Sequence, residues 1–266
     1  MKKNILLILS LFVGGLYHTP AAANSRYLDL MKRCLLNLIY EDPSVHDGKY
    51  TEEHRLAGRD WPSKAHTMIG LDGLNNIQFC LEDIIKNNIT GDCIETGVWR
   101  GGATILMRAV LNEYQVTDKT VWVADSFEGL PVPNPAKYPE DTYTYNVSEP
   151  NKILAISLES VKSNFAKYDL LDNQVKFLKG WFKDTLPHAP IEKLSLLRLD
   201  GDFYESTMDT LVHLYPKLSV GGYIIIDDYV AMDQCAHAIE DYRRLHDITD
   251  KIESAGWSVR YWKKTK

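Results

Sequence analysis

Apolar positions along this chain follow two rhythms. Short apolar runs of strand length, closed by glycine or acidic residues, alternate with segments whose apolar residues return every three or four positions. The pattern is densest from Leu194 to Tyr229, LSLLRLDGDFYESTMDTLVHLYPKLSVGGYIIIDDY. Two apolar runs, LSLLRL and YIII, each end in carboxylates, Asp200 with Asp202 and Asp227 with Asp228, and one helix-length segment separates them. This predicts a strand, a crossover helix and a parallel strand. The helix is expected from Tyr204 to Leu218, with Met208, Leu211, Val212, Tyr215 and Leu218 inward and Gly221-Gly222 stopping it. Parallel strands joined by one crossover end on the same edge of a sheet, so both acidic pairs should face one crevice.

The same reading extends to the rest of the chain. Ser25 to Tyr40 and Leu71 to Lys86 have helical periodicity, and the polar stretch Glu41 to Pro62 between them is expected to be a mobile loop that serves as a lid. DCIETGVWRGGATILMRAVL runs from a buried strand through glycines into a helix from Ala103, the opening unit of a doubly wound nucleotide-binding sheet. A second strand, Thr120 to Ala124, ends in Asp125, and Pro131 to Pro150 is an aperiodic surface excursion. Leu154 to Tyr168 reads as a helix and Val175 to Leu178 as a third strand, with Gly180-Trp181-Phe182 just beyond it. Ala236 to Leu245 is a helix after the fifth strand, and Trp257 to Trp262 alternates as an antiparallel edge strand. The expected fold class is α/β: a mostly parallel, doubly wound sheet with an antiparallel edge strand and an N-terminal helical and lid extension.

At 266 residues, 45% apolar and 25% charged, the chain has the composition of a globular protein with one sizeable core. A net charge of −6, with no basic cluster interleaved with aromatics, argues against a nucleic-acid partner. The N-terminus has the layout of a secretory signal: Lys2 and Lys3, an apolar run from Ile5 to Leu16, then Ala21-Ala22-Ala23. That run is too short for a spanning helix, so a membrane contact is expected only if the segment stays attached as an apolar anchor. Cys34, Cys80, Cys93 and Cys235 lack metal spacing and neither demand nor exclude an oxidising compartment. The chain divides into 1–23, a leader or anchor; 24–90, helices and lid; and 91–266, the α/β domain.

The candidate chemistry lies at the strand ends. Glu95, Gly97 and Gly101 do not form a dinucleotide fingerprint and suit S-adenosylmethionine better, since there is no pyrophosphate to hold. Asp125 is placed to accept hydrogen bonds from ribose hydroxyls, and Ser126 to Gly129 could edge an adenine. His66 reads as structural. Each acidic pair alone would be a turn signal, but two on one edge repel unless a cation lies between them. Oxygen donors with no Cys or His beside them favour Mg2+ over Ca2+. Successive strand residues point to opposite faces, so Asp227 and Asp228 share an ion only if the strand has already ended. A hydroxyl bound to such an ion loses its proton more easily, and a carboxylate beside it can take that proton. A vicinal diol, as in sugars and catechols, would chelate the ion and be oriented by it.

The segments LMKRCLLNLIYEDP, GRDWP, AHTMIG, ETGVWRGGA, VADSFEGLP, FLKGWFKDTLP, LRLDGDFYEST and YPKLSVGGYIIIDDY resemble the macrocin O-methyltransferase (TylF/MycF) family from about Arg26 onward. The resemblance implies a Rossmann-like class I methyltransferase that is Mg2+- and S-adenosylmethionine-dependent, acts on a sugar hydroxyl of a small molecule, and forms a homodimer or higher homo-oligomer. By motif match, Asp200, Asp227 and Asp228 would be metal ligands, with Asp200 also the base. Glu95, Thr96, Gly97, Val98, Trp99, Arg100, Asp125, Ser126, Gly180, Trp181 and Phe182 would hold the cofactor, with Thr67 and Met68 near its methionine end and Ser157 as a further contact. A methyl donor of the cytosol favours a cytoplasmic site of action, although the leader leaves export or membrane anchoring open. The rival expectations are a catechol-type O-methyltransferase and a non-catalytic exported binding protein on the same fold.

Overall fold

The computed structural model describes residues 25–141 and 146–266, so the leader reading of 1–23 lies outside the described residues. Helix α1 (Arg26–Leu35) starts where the Ser25 hydroxyl accepts the Leu28 N–H at 3.3 Å. Short α2 (Glu52–Ala57) ends at Gly58 in the left-handed region, and α3 (Gly70–Lys86) follows. The α/β core then runs β1 (Asp92–Thr96), α4 (Gly102–Glu113), β2 (Val121–Asp125), α5 (Ser148–Leu154), α6 (Leu158–Lys167), β3 (Val175–Lys179) and α7 (Phe182–Thr185). It closes with β4 (Leu194–Leu199), α8 (Tyr204–Leu214), β5 (Leu218–Ile226), α9 (Asp233–Leu245), β6 (Glu253–Ala255) and β7 (Val259–Lys263).

The seven strands form one sheet in the order β3-β2-β1-β4-β5-β7-β6. The first five are parallel, β7 runs antiparallel to β5, and β6 pairs antiparallel to β7 at the edge. Strand order reverses between β1 and β4, the point where such a sheet opens a ligand crevice at its C-terminal edge. The period of two sorts each strand between two cores. Cys93, Val123, Leu196 and Ile225 pack with α1, α3 and α4, while Ile94, Ala124, Leu197 and Ile224 pack with α8 and α9. The N-terminal helices therefore share a core with the sheet: Leu28, Leu35, Leu74, Ile77 and Leu81 are fully buried beside Ile105 and Leu106.

Several sequence expectations are corrected. Gly221 and Gly222 lie inside β5 rather than after the crossover helix; a Cβ on Gly222 would come within 2.6 Å of the Ser195 carbonyl, so the glycine admits close strand approach. Helix α8 ends at Leu214, short of the expected Leu218, and its buried face is Ser206, Thr207, Thr210, Leu211 and Leu214, with Val212 exposed. The expected helix Leu154 to Tyr168 is α6, which starts later, at Leu158 behind its Ser157 cap, while Leu154 ends a separate helix, α5, that the sequence reading did not foresee. The β6 strand, not the Trp257–Trp262 segment, forms the edge.

The stretch Glu41 to Pro62 is tied down rather than loose. Arg55, fully buried, donates to both carboxylate oxygens of Asp60, to the Asp42 carboxylate at 2.9 Å and to the carbonyls of Leu36 and Asp42. The excursion after Pro131 is anchored as well: Asp141, almost fully buried, accepts the Tyr204 and Glu205 N–H groups and so caps α8 from a distance.

Candidate active site

The C-terminal edge of β1, β2, β4 and β5 opens into a cleft of about 960 Å³. Its floor carries Glu95, Gly97, Val98, Asp125, Asp200, Asp202, Asp227 and Asp228, and its walls include Thr67, Met68, Trp99, Ser126, Trp181 and Phe182. The α2–α3 segment contributes Gly58 and Trp61, and the β6–β7 turn contributes Trp257 and Ser258. Of the residues expected to hold the cofactor, Thr96, Arg100, Ser157 and Gly180 are off the cleft wall. Thr96 is fully buried, with its hydroxyl toward the Arg198 carbonyl. Arg100 donates to the carbonyls of Pro62 and Ala65 at 3.0 and 2.8 Å and stacks 4.0 Å from the Trp99 ring centre, so it braces the wall from behind. Ser157 caps α6 by accepting the Ser160 N–H. The Gly180 N–H donates to the Asp125 carbonyl.

The glycine turn is built by close approach. Gly97 has φ +86°, and a Cβ there would lie 1.7 Å from the Asp200 carbonyl oxygen, so no larger residue lets β1 and β4 meet at their ends. Asp125 shapes the turn from below, accepting the Val98 N–H at 2.7 Å and the Phe127 N–H at 2.6 Å. Burial raises its pKa, and those backbone donors oppose the rise. Trp99, itself at φ +47°, donates its ring N–H to the Ile153 carbonyl at 3.0 Å, which joins the turn to α5. His66 is fixed to the Tyr168 hydroxyl at 2.8 Å; burial, with Lys167 and Arg100 nearby, lowers its pKa to about 4 and keeps it neutral.

Beside the turn stands a charge cluster whose centre, Arg198, the sequence reading left unassigned. Arg198 on β4 is the register partner of Glu95 on β1 and of Ile225 on β5. Asp200 and Asp227 each lie two residues beyond those positions, so all four side chains share one face. The guanidinium is 1% exposed and forks between carboxylates: Nη1 to Glu95 and, at 2.9 Å, to Asp200, and Nη2 to Asp227. Burial acts against its charge, but Asp227, Glu95 and Asp200 outweigh burial and hold its pKa above the ordinary value. An arginine inside an otherwise apolar strand was the available signal, since a buried charge demands partners. Glu95 is 2% exposed and its Oε2 has no hydrogen-bond partner among the described residues. Burial raises its pKa to about 8; Arg198 pulls the other way, while Asp200 and Asp227 add to the rise.

The ligating oxygens of Asp200, Asp202 and Asp228 lie within 4.8 Å of one another. Asp227 diverges from them because β5 has ended at Ile226, leaving Asp227 toward Arg198 while an Asp228 oxygen accepts the Asp202 N–H at 3.2 Å. Burial raises the pKa of Asp202 to about 7, with Asp200 and Asp227 adding to it, and raises Asp228 well above its ordinary value with Asp202 as the next cause. The donor set is all oxygen and mutually repelling, which fits a hard divalent ion. Ser258 secures the far side, its hydroxyl donating to the Asp227 carbonyl at 2.6 Å.

Similarity to known proteins agrees with this geometry. A family model described as macrocin O-methyltransferase (TylF) matches residues 24–264. The demethyldecarbamoylnovobiocin O-methyltransferase of Streptomyces niveus is 53% identical over 249 residues, which span 91% of this chain and 95% of that protein. The mycinamicin III 3''-O-methyltransferase of Micromonospora griseorubida is 46% identical over 254 residues, 93% of this chain and 99% of that protein. The solved structure of the O-methyltransferase NovP is similar at a TM-score of 0.83 with 53% sequence identity, covering 90% of this chain and 98% of that one. A glycine turn, an acidic strand edge and likeness along nearly the whole chain thus point the same way, and the chain belongs to the macrocin O-methyltransferase family.

Proposed function

We propose that this protein transfers a methyl group from S-adenosylmethionine to a sugar hydroxyl of a glycosylated small molecule, with Mg2+ at the acidic cluster. The observation that carries the reading is the adjacency of two sites in one cleft: a glycine turn beside a buried carboxylate oxygen with no partner among the described residues, and three converging carboxylates. A Streptomyces olivaceus relative, 51% identical over 247 residues, is named for a rhamnosyl-bearing substrate, 8-demethyl-8-(2,3-dimethoxy-alpha-L-rhamnosyl)-tetracenomycin-C, which supports a sugar as acceptor. When bound, the donor supplies an electrophilic methyl group and the ion lowers the pKa of a hydroxyl it touches.

The chain's own residues do the rest. Glu95, Gly97 and Val98 at the turn, with Thr67, Met68, Trp99, Trp181 and Phe182, would hold the donor, and the Glu95 carboxyl would be the counter-group for its ammonium. Asp200 and Asp228 would hold the ion through their carboxylates. Asp227 spends Oδ1 on Arg198 and sets the cluster from behind. We assign the acceptor's proton to Asp202 rather than Asp200. Asp200 is paired with Arg198, whereas no described cation pairs with the Asp202 carboxylate, which leaves it the freer acceptor for a proton. Trp61 and Trp257 both line the cleft, and the Trp257 ring N–H donates to the Gly58 carbonyl at 3.3 Å, so the β6–β7 turn meets the α2–α3 segment along its wall.

The test is methyl transfer from labelled donor to a panel of glycosides and catechols, with Mg2+ or a chelator. Label on glycosides that disappears in chelator is the expected result. Label on catechols alone would overturn the sugar acceptor, and transfer unaffected by chelator would overturn the ion. Among the described residues no helix is long and apolar enough to cross a membrane.

A further inference from the structure

We infer that Trp257 sets acceptor specificity by stacking on a flat apolar ring in the unit attached to the methylated sugar, so that the preferred substrate is an aryl glycoside and not the bare sugar. The inference rests on the sugar acceptor proposed above and deepens it by naming the substrate class and the residue that selects it. The β6–β7 turn is tied to the acidic edge of the sheet. The Ser258 hydroxyl donates to the Asp227 carbonyl at 2.6 Å, which places Trp257, a residue of the cleft wall, one position from that anchor. Met232, whose N–H donates to the Asp228 carbonyl at 2.9 Å, lines the same cleft. Both of the paired acids after β5 are therefore tied to segments that bring an apolar side chain to the cleft.

Of the six tryptophans, Trp257 alone is exposed, at 43%. An indole left in water forgoes the free energy of burying it, and in a cleft wall it is a contact surface for a ligand. The ring is already ordered: its N–H donates to the Gly58 carbonyl at 3.3 Å and the Arg59 guanidinium stands 5.8 Å over it, so stacking costs little conformational entropy. Val132, in the wall of the same cleft, is exposed as well. Polarity then divides the acceptor. Sugar hydroxyls are matched by the carboxylates of Asp200, Asp202 and Asp228, whereas against Trp257, Met232 and Val132 they would give up hydrogen bonds to water without replacement. An aromatic ring gives up none there.

The experiment is steady-state methyl transfer from labelled S-adenosylmethionine by the full chain, with paired methyl and 2-naphthyl glycosides of L-rhamnose and D-glucose, which differ only in the unit attached to the sugar. The wild type should favour the naphthyl glycoside by about 10-fold or more in kcat/KM, chiefly through KM. Trp257→Ala should bring that ratio down toward one, and Trp257→Phe, which keeps a flat ring but loses the bond to Gly58, should restore most of it. A wild-type ratio near one would overturn the proposal. So would a Trp257→Ala variant that loses both acceptors equally, since the ring would then stack on the sugar itself or only hold the wall. A Trp257→Phe variant that behaves as Trp257→Ala would overturn it too, by assigning the effect to the hydrogen bond. If Trp257→Ala does not fold, Trp257→Leu, which fills the wall without a ring face, replaces it with the same outcomes. A wild type that transfers label to no glycoside would remove the sugar acceptor and this inference with it, a result distinct from a ratio near one.

Discussion

Two buried arginines, each facing aspartates, serve opposite ends in this molecule. Arg55 and Asp42 form a closed set. Asp42 also receives the Asn37 amide, the Ser63 hydroxyl and the Lys64 and Ala65 N–H groups, so its pKa falls although burial, the largest influence, pushes it up. Arg198 sits in an open set. Its three carboxylates share two nitrogens, a Glu95 oxygen is left over, and Asp202 and Asp228 crowd behind with raised pKa values. A balanced cluster fastens the segment before Thr67 and Met68, whereas an unbalanced one is where a bound cation would have something to add.

The comparison breaks most decisively through Asp202→Asn. It should lower kcat by about 10²- to 10⁴-fold while the thermal midpoint holds or rises, because it removes a base and a repelling charge together. A midpoint that falls with activity unchanged would make Asp202 structural. Arg55→Met should do the reverse, costing about 3–5 kcal/mol in denaturant unfolding by stranding Asp42 and Asp60. A loss under 1 kcal/mol would show the set was not closed.

The pH dependence sharpens the contrast. Glu95, Asp202 and Asp228 have raised pKa values in the fold, so over the interval from about pH 4 to about pH 8 the folded state binds more protons than the unfolded one. Stability from this cluster is therefore present below pH 4 and lost as pH rises. In chelator, the thermal midpoint of Asp228→Asn should fall less with rising pH than that of wild type, and Mg2+ should flatten the wild-type curve. Identical slopes in all three would refute the cluster's role. The smallest effect belongs to Ser157→Ala, expected to cost about 1 kcal/mol as a lost helix cap and to leave the donor KM unchanged. A raised donor KM would return Ser157 to the cofactor site.

Much of the candidate site was legible before folding was considered. Glu95, Gly97, Asp125, Asp200 and Asp228 stand at strand ends, and strand ends can be read from apolar runs and the residues that close them. Arg198 was hidden for the same reason: one cation in LSLLRL does not disturb a strand, and its partners lie on β1 and just beyond β5. The supposed mobility of Glu41 to Pro62 came from polar composition, and what fastens it is a set of contacts to Arg55 from residues up to nineteen positions away.

The sequence by itself determined the alternation of strands and helices, the acidic sheet edge and the family, because periodicity, turn chemistry and motifs are local. Tertiary structure alone decided which acids converge. Asp202 joins Asp200 and Asp228 while Asp227 turns to Arg198, since register across β1, β4 and β5 and the end of β5 at Ile226 fix where each carboxylate points.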